Sequence, residues 1–79
     1  MTRAAAVVEA VAKALADRAE AVKVVEREAR GQMFVELTMA PGDMGRVIGR
    51  QGRTAQAVRT LASLAGELDG TRVSVDFRD

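Results

Sequence analysis

The stretch with the most chemical content is VIGRQGR, residues 47–53, in which two glycines lie three positions apart among arginines. Around it, residues 44–66 carry four arginines and no Asp or Glu. The rest of the chain holds eight basic and all eleven acidic side chains, so positive charge is concentrated in this segment. A local positive field on a near-neutral protein favours an anionic polymer as partner. A solvated helix face that happens to use arginine would carry the same charge.

The glycine pair predicts a sharp turn that comes close to a ligand. Glycine has no Cβ, so Gly49-Arg50-Gln51-Gly52 can bend tightly and let another backbone approach. The amides of Gly52 and Arg53 would open a helix, where unpaired N–H groups attract anions. With Arg50 and Gln51 pointing outward, the turn could clamp a sugar-phosphate chain. The plain alternative is a connection between two helices that binds no ligand.

Neighbouring residues extend this candidate site. The apolar pair Val47-Ile48 is expected to pack inward and form the floor of a bordering groove. Arg46 is expected to contact phosphate, and Arg59 could do the same or remain solvated. A second Gly-x-x-Gly, Gly42-Asp43-Met44-Gly45, carries an acid and lacks the apolar pair. We assign that copy to a turn and helix cap.

Several classes of function are excluded by composition. The sequence contains no His, Cys or Tyr, so the commonest general bases, nucleophiles and thiolate metal ligands are missing. Its acidic residues show no spacing that suggests acid–base catalysis or metal binding. We therefore expect no enzymatic activity, cofactor, metal or small-molecule substrate. No uncharged run approaches the roughly 20 residues of a membrane span, and we expect a soluble, cytoplasmic protein.

The first half of the chain predicts one helix and a β-hairpin. Val8, Val11, Ala12 and Leu15 recur at helical spacing, and Thr2 can cap a helix over 3–18. Strands are predicted over 21–28 and 32–40, joined by a turn at Arg30-Gly31. Alternation places four apolar side chains of the second strand on one face: Met33, Val35, Leu37 and Met39.

The second half predicts two helices and a third strand. Asp43 is placed to cap a short helix over 44–48, and a long helix begins near Gly52. Gly66 is expected to fray the long helix and Gly70 to stop it before a strand over 71–77. The predicted buried face of the long helix comprises Ala55, Val58, Leu61, Ala62 and Ala65. The order α-β-β-α-α-β indicates an α+β fold, with helices on one face of a three-stranded sheet. At 79 residues, we expect a single domain over 1–79.

The block APGDMGRVIGRQGRTAQAVRTL, residues 40–61, resembles the KH-domain signature, and the element order resembles the type II arrangement. Over its whole length the chain resembles the KhpA family of small bacterial RNA-binding proteins. That resemblance implies binding of single-stranded RNA, homodimerisation, and heterodimerisation with a larger KH/R3H protein of the KhpB (Jag/EloR) type. It also implies post-transcriptional regulation or RNA chaperoning, connected with cell shape and cell-wall organisation.

Residue roles follow from the same resemblance. Gly49, Arg50, Gln51 and Gly52 match the loop that clamps about four nucleotides of backbone, with Val47 and Ile48 beneath the groove and Arg53 at the start of the supporting helix. The edge of strand 32–39 is expected to close the far side. Two features depart from the pattern. Thr54 stands where an apolar residue is expected, which predicts looser packing beside the loop. Only two aromatic residues, Phe34 and Phe77, could stack on bases.

A different class of function is left open by the sequence. The chain could be a dimerisation adaptor in which the glycine loop and the following helix form the subunit interface. The small side chains of its alanine-rich helices would permit close approach. The two hypotheses differ in salt dependence, because RNA binding weakens steeply with salt and an apolar interface does not.

Overall fold

The computed structural model of the protein describes residues 1–78, so Asp79, the last residue of the predicted domain, lies outside the described residues. The order α-β-β-α-α-β and the α+β class are confirmed. Two single 3₁₀ turns, Ala19–Ala21 and Arg50–Gly52, accompany the main elements. These elements are α1 (Arg3–Leu15), β1 (Lys23–Ala29), β2 (Gln32–Thr38), α2 (Met44–Ile48), α3 (Arg53–Leu68) and β3 (Arg72–Arg78).

The sheet has the order β1-β2-β3 and is mixed. β1 pairs antiparallel with β2 through a two-residue turn, in which Arg30 and Gly31 both have positive φ, at 54° and 77°. This is the backbone that a tight hairpin turn requires. β3 pairs parallel with β2, with Val75 opposite Val35. The prediction that β2 offers a free edge to the groove is wrong, because β3 covers that edge and is itself the outer strand.

α1 is shorter than predicted, since it ends at Leu15 rather than at residue 18. The expected N-cap is present, with Thr2 Oγ1 accepting from the Ala5 amide at 3.2 Å. At the other end, Ala16 is extended, and the Arg18 amide donates to Asp43 Oδ2 at 3.0 Å. This contact keeps the chain extended after α1. A 3₁₀ turn follows, so β1 begins at Lys23 rather than at the predicted residue 21.

Asp43 therefore has a different role from the predicted one. It precedes α2, but its side chain makes no capping hydrogen bond. Asp43 is 5% exposed, and its carboxylate instead accepts the bond from the Arg18 amide, so it links the segment after α1 to the start of α2. A buried carboxylate is stable only with such partners.

The core lies between the helices and the inner face of the sheet. Val8, Val35, Leu37, Val47 and Val58 are its largest fully buried side chains. Of the predicted inner face of β2, Met33 is only partly buried. Met33 is the second residue of β2 and lies near the hairpin turn, whereas the fully buried Val35 and Leu37 lie in the middle of the strand and farther from that turn.

The buried face of α3 differs from the prediction at two positions, because one predicted residue is exposed and one further residue is buried. Ala55, Val58, Ala62 and Ala65 are buried as predicted, whereas Leu61 is 48% exposed because it lies at the margin of that face. Gly66 does not fray the helix. It is buried within α3, and a Cβ there would lie 2.5 Å from Val73 Cγ2 and 2.7 Å from the Thr71 carbonyl oxygen. Glycine at this position lets α3 pack directly on β3. Among residues 1–78, no helix is both long enough and apolar enough to span a membrane.

Candidate nucleic-acid interface

The glycine turn lies between the end of α2 and the start of α3. Gly49 has φ 74° and ψ 175°, Gln51 φ 58°, and Gly52 φ 72° and ψ 15°. All three φ values are in the region that favours glycine, and Gln51 adopts it despite having a side chain. The predicted sharp turn is confirmed, and Arg50 and Gln51 lie exposed at its tip.

Gly49 has a second reason to be glycine. A Cβ on Gly49 would lie 2.5 Å from Thr54 Oγ1 and 2.9 Å from Thr54 Cβ. Thr54 was expected to loosen the packing beside the loop. It instead lies closely against Gly49, half-buried in the first turn of α3. The threonine therefore fills the space between the turn and the helix.

The amides predicted to attract an anion are engaged within the turn. The Gly52 N–H donates to the Gly49 carbonyl at 3.2 Å, and the Arg53 N–H donates to the Arg50 carbonyl. That part of the prediction is wrong, because the 3₁₀ geometry closes these bonds. Among residues 1–78, the amides of Arg50 and Gln51 make no such bond. These two amides, at the tip, are the ones available to a ligand.

The arginines of the segment differ in how they are engaged. Arg50 and Arg53 are exposed, and neither forms an ion pair or side-chain hydrogen bond with the other residues of 1–78. Arg46 is engaged, since its guanidinium lies 3.0 Å from Asp17 Oδ2 and 3.9 Å from Asp43 Oδ1. A phosphate at Arg46 would have to compete with these two carboxylates.

The two floor residues take different positions. Val47 is fully buried in the core, in agreement with the predicted inward packing, and it presents no surface to a base. It supports the turn from beneath. Ile48 is 37% exposed and is the apolar side chain of α2 that a ligand could touch.

The far side of the predicted groove is formed by a different strand from the one that the sequence indicated. The edge strand β3 lies beside α3, and the Arg59 guanidinium carbon lies 4.8 Å from the centre of the Phe77 ring. This cation–π contact joins the helix to the strand and holds Arg59 against the groove. The signal that could have revealed it is Phe77 on the inner face of the last strand. The contribution of Phe77 to the groove could not be inferred from the sequence, because it requires that β3, and not β2, is the edge strand.

Two helices joined by a Gly-x-x-Gly turn, packed on a β1-β2-β3 sheet whose last two strands are parallel, define a type II KH domain. The family described as KhpA/KhpB, KH domain matches residues 5–77 of this chain. The chain belongs to this family.

Relatives from several bacteria are similar over nearly the whole chain, and each is named RNA-binding protein KhpA. The protein of Caldanaerobacter subterraneus subsp. tengcongensis is 47% identical over 89% of this chain and 93% of its own length. That of Halalkalibacterium halodurans is 42% identical, covering 91% and 95%. That of Leifsonia xyli subsp. xyli is 44% identical, covering 87% and 88%.

Proposed function

We propose that this protein binds single-stranded RNA by clamping the sugar-phosphate backbone with the turn Gly49–Gly52. The main support for this proposal is that the turn presents to solvent several hydrogen-bond donors that are unengaged within the described part of the chain. Two arginines, Arg50 and Arg53, are exposed there without an ion-pair partner among residues 1–78, beside two amides at the tip. A phosphate can use both kinds of donor at once. The names of the relatives support the same ligand class.

The groove beyond the turn would hold the bases. Ile48 offers an apolar contact near the turn, and the Arg59–Phe77 pair offers a flat cationic surface farther along α3. KH domains clamp about four nucleotides, so one groove gives modest affinity and broad selectivity. These properties suit a cytoplasmic post-transcriptional regulator or RNA chaperone, acting with a KhpB (Jag/EloR)-like partner, better than a sequence-specific switch.

The test is binding of a labelled mixed-sequence RNA at two salt concentrations by the wild type and by Arg50→Asp/Gln51→Asp. The wild type should bind and weaken with salt, at a slope of about −0.7 per neutralised phosphate. The loop variant should bind at least about tenfold more weakly, because both tip side chains then repel phosphate.

A matched control separates the loop from overall charge. Arg30→Asp/Ala6→Asp changes the net charge equally at exposed positions outside the groove, in the hairpin turn and on α1. It should retain most of the affinity. A thermal melt checks that each variant folds. Equal binding by the loop variant and the wild type would overturn the clamp.

A second candidate function, protein association, is favoured by an apolar stripe on α3. Leu61, Leu64 and Leu68 are 48%, 54% and 73% exposed and recur at helical spacing. At 3.6 residues per turn, they lie on the opposite side of α3 from Arg59. A second copy could place the same stripe against this one about a two-fold axis. The adaptor hypothesis would then use the helix and leave the glycine turn open, so both functions could coexist.

A further inference from the structure

We propose that a cavity at the end of the groove distant from the glycine turn holds a guanine base. The inference rests on the proposed RNA binding and adds a base preference to it. The cavity has a volume of about 210 Å³ and lies where α3 meets the start of β3. Ser63 and Glu67 are ten and fourteen residues beyond Arg53, or about 15 and 21 Å along the helix. The cavity is lined by Gln32, Ser63, Glu67, Thr71, Arg72 and Val73.

The size of the cavity suits one nucleobase. It is far larger than the roughly 30 Å³ that one water occupies in the liquid. It is smaller than the roughly 300 Å³ at which pockets for drug-sized molecules begin. A nucleobase that leaves the stack of a single strand is a ligand of intermediate size, and such bases are read by hydrogen bonds to their edges.

The charges of the cavity favour a base over a phosphate. Glu67 and Arg72 both line it, and neither forms an ion pair within residues 1–78. A phosphate would be attracted by Arg72 but repelled by Glu67. A neutral planar group that carries both donors and acceptors can use both side chains. Val73 adds an apolar contact for its ring.

The polar lining residues favour guanine among the four bases. Gln32 Nε2 donates to Ser74 Oγ, which fixes the amide and leaves its carbonyl oxygen as an acceptor. Guanine presents two adjacent donors, N1–H and N2–H, and two acceptors, O6 and N7. A carboxylate can accept from the two donors, and arginine is the usual donor to O6 and N7. Adenine, cytosine and uracil each lack the pair of adjacent donors that Glu67 would accept.

The experiment measures the affinity of oligouridylates of one length with a single central guanine, adenine or inosine. We expect the wild type to prefer guanine over adenine by about tenfold, the range of one good bidentate contact. Inosine lacks the N2 amino group, so it should bind more weakly than guanine. Glu67→Gln should remove most of the preference over inosine, because an amide offers one acceptor in place of two. It should only lower the preference over adenine, because Arg72 still donates to O6 and N7.

A control variant, Glu28→Gln, makes the same charge change at an exposed position of β1, the strand at the opposite edge of the sheet. It should keep the guanine preference. If the wild type binds all three RNAs alike, or if Glu67→Gln retains the preference over inosine, the guanine site is wrong while the RNA clamp stands. If no RNA binds, or the loop variant Arg50→Asp/Gln51→Asp binds as well as the wild type, the proposed function fails and the guanine site with it.

Discussion

Gly49 combines two requirements that no other residue type meets. Its φ of 74° with ψ of 175° is a backbone conformation that side chains rarely adopt, and Thr54 occupies the space where a Cβ would go. We expect Gly49→Ala to lower the free energy of unfolding by about 1–3 kcal/mol through this strain. Chemical denaturation measured by circular dichroism would test the value. RNA affinity should fall as well, because the turn positions both Arg50 and Gln51.

Gly45 supplies the matched control for this substitution. It lies within α2 without positive φ, and nothing surrounds the position of its absent Cβ within 4 Å. Alanine there should be neutral or stabilising by less than about 1 kcal/mol, following helix propensity. Equal destabilisation by Gly45→Ala and Gly49→Ala would show that the turn geometry is not the cause.

At the scale of single residues, the sequence predicted where the glycine turn lies. It did not predict which of the side chains beside the turn are buried or ion-paired. The glycine pair and exposed Arg50 follow from local preference, because positive φ selects glycine. The engagement of Arg46 could not be predicted, since Asp17 lies far from it in sequence and reaches it only through the fold. The burial of Val47 beside an exposed Ile48 likewise depends on how α2 is oriented over the core.

At the scale of elements, the carboxylate of Glu26 on β1 forms hydrogen bonds with the N-cap residue of α1. Glu26 Oε1 accepts from the Thr2 amide at 2.6 Å and from Thr2 Oγ1 at 2.8 Å. Both bonds lower the pKa of Glu26 below its ordinary value of 4.5, and the bond from the Thr2 amide has the larger effect. A lowered pKa in the folded state stabilises the protein above the unfolded pKa, and this contribution is lost as the pH falls through the folded value.

We therefore expect Glu26→Gln to reduce the free energy of unfolding at neutral pH by less than about 1 kcal/mol, since the site is exposed. The difference from the wild type should shrink as the pH falls below about 4.5 and disappear in stronger acid. Denaturant titrations across this pH range measure it. Glu28→Gln on the same strand should change stability little, because Glu28 makes no ion pair or side-chain hydrogen bond within residues 1–78. A pH-independent loss in Glu26→Gln would exclude the carboxylate as the cause.

At the scale of the whole molecule, the exposed stripe of α3 predicts self-association. We expect the wild type to dimerise and Leu64→Glu to be monomeric, because a charge would be buried in an apolar interface. Light scattering over a range of concentrations measures the change. Val25→Glu, at a position 54% exposed on β1, should remain dimeric. A monomeric wild type, or a dimeric Leu64→Glu, would contradict the prediction.

Dimerisation should also affect RNA binding in a length-dependent way. Two linked grooves raise the effective concentration of the second site without any new contact. Leu64→Glu should therefore weaken binding of RNA long enough to occupy both grooves, while leaving short RNA unaffected. An equal loss for both lengths would instead indicate damage to the groove.

The order of elements, the hairpin turn at Arg30-Gly31 and the glycine turn could be predicted from the sequence, because they depend on local φ preferences and on periodicities of two and 3.6 residues. Three features follow only from the packed fold: which strand forms the edge, where α1 ends, and that Leu61 is exposed while Gly66 is covered on α3. Those outcomes depend on pairings between distant residues, such as Val35 with Val75 and Arg18 with Asp43. The groove wall at Phe77 and the cavity between Glu67 and Arg72 exist only once β3 has packed against α3 at Gly66.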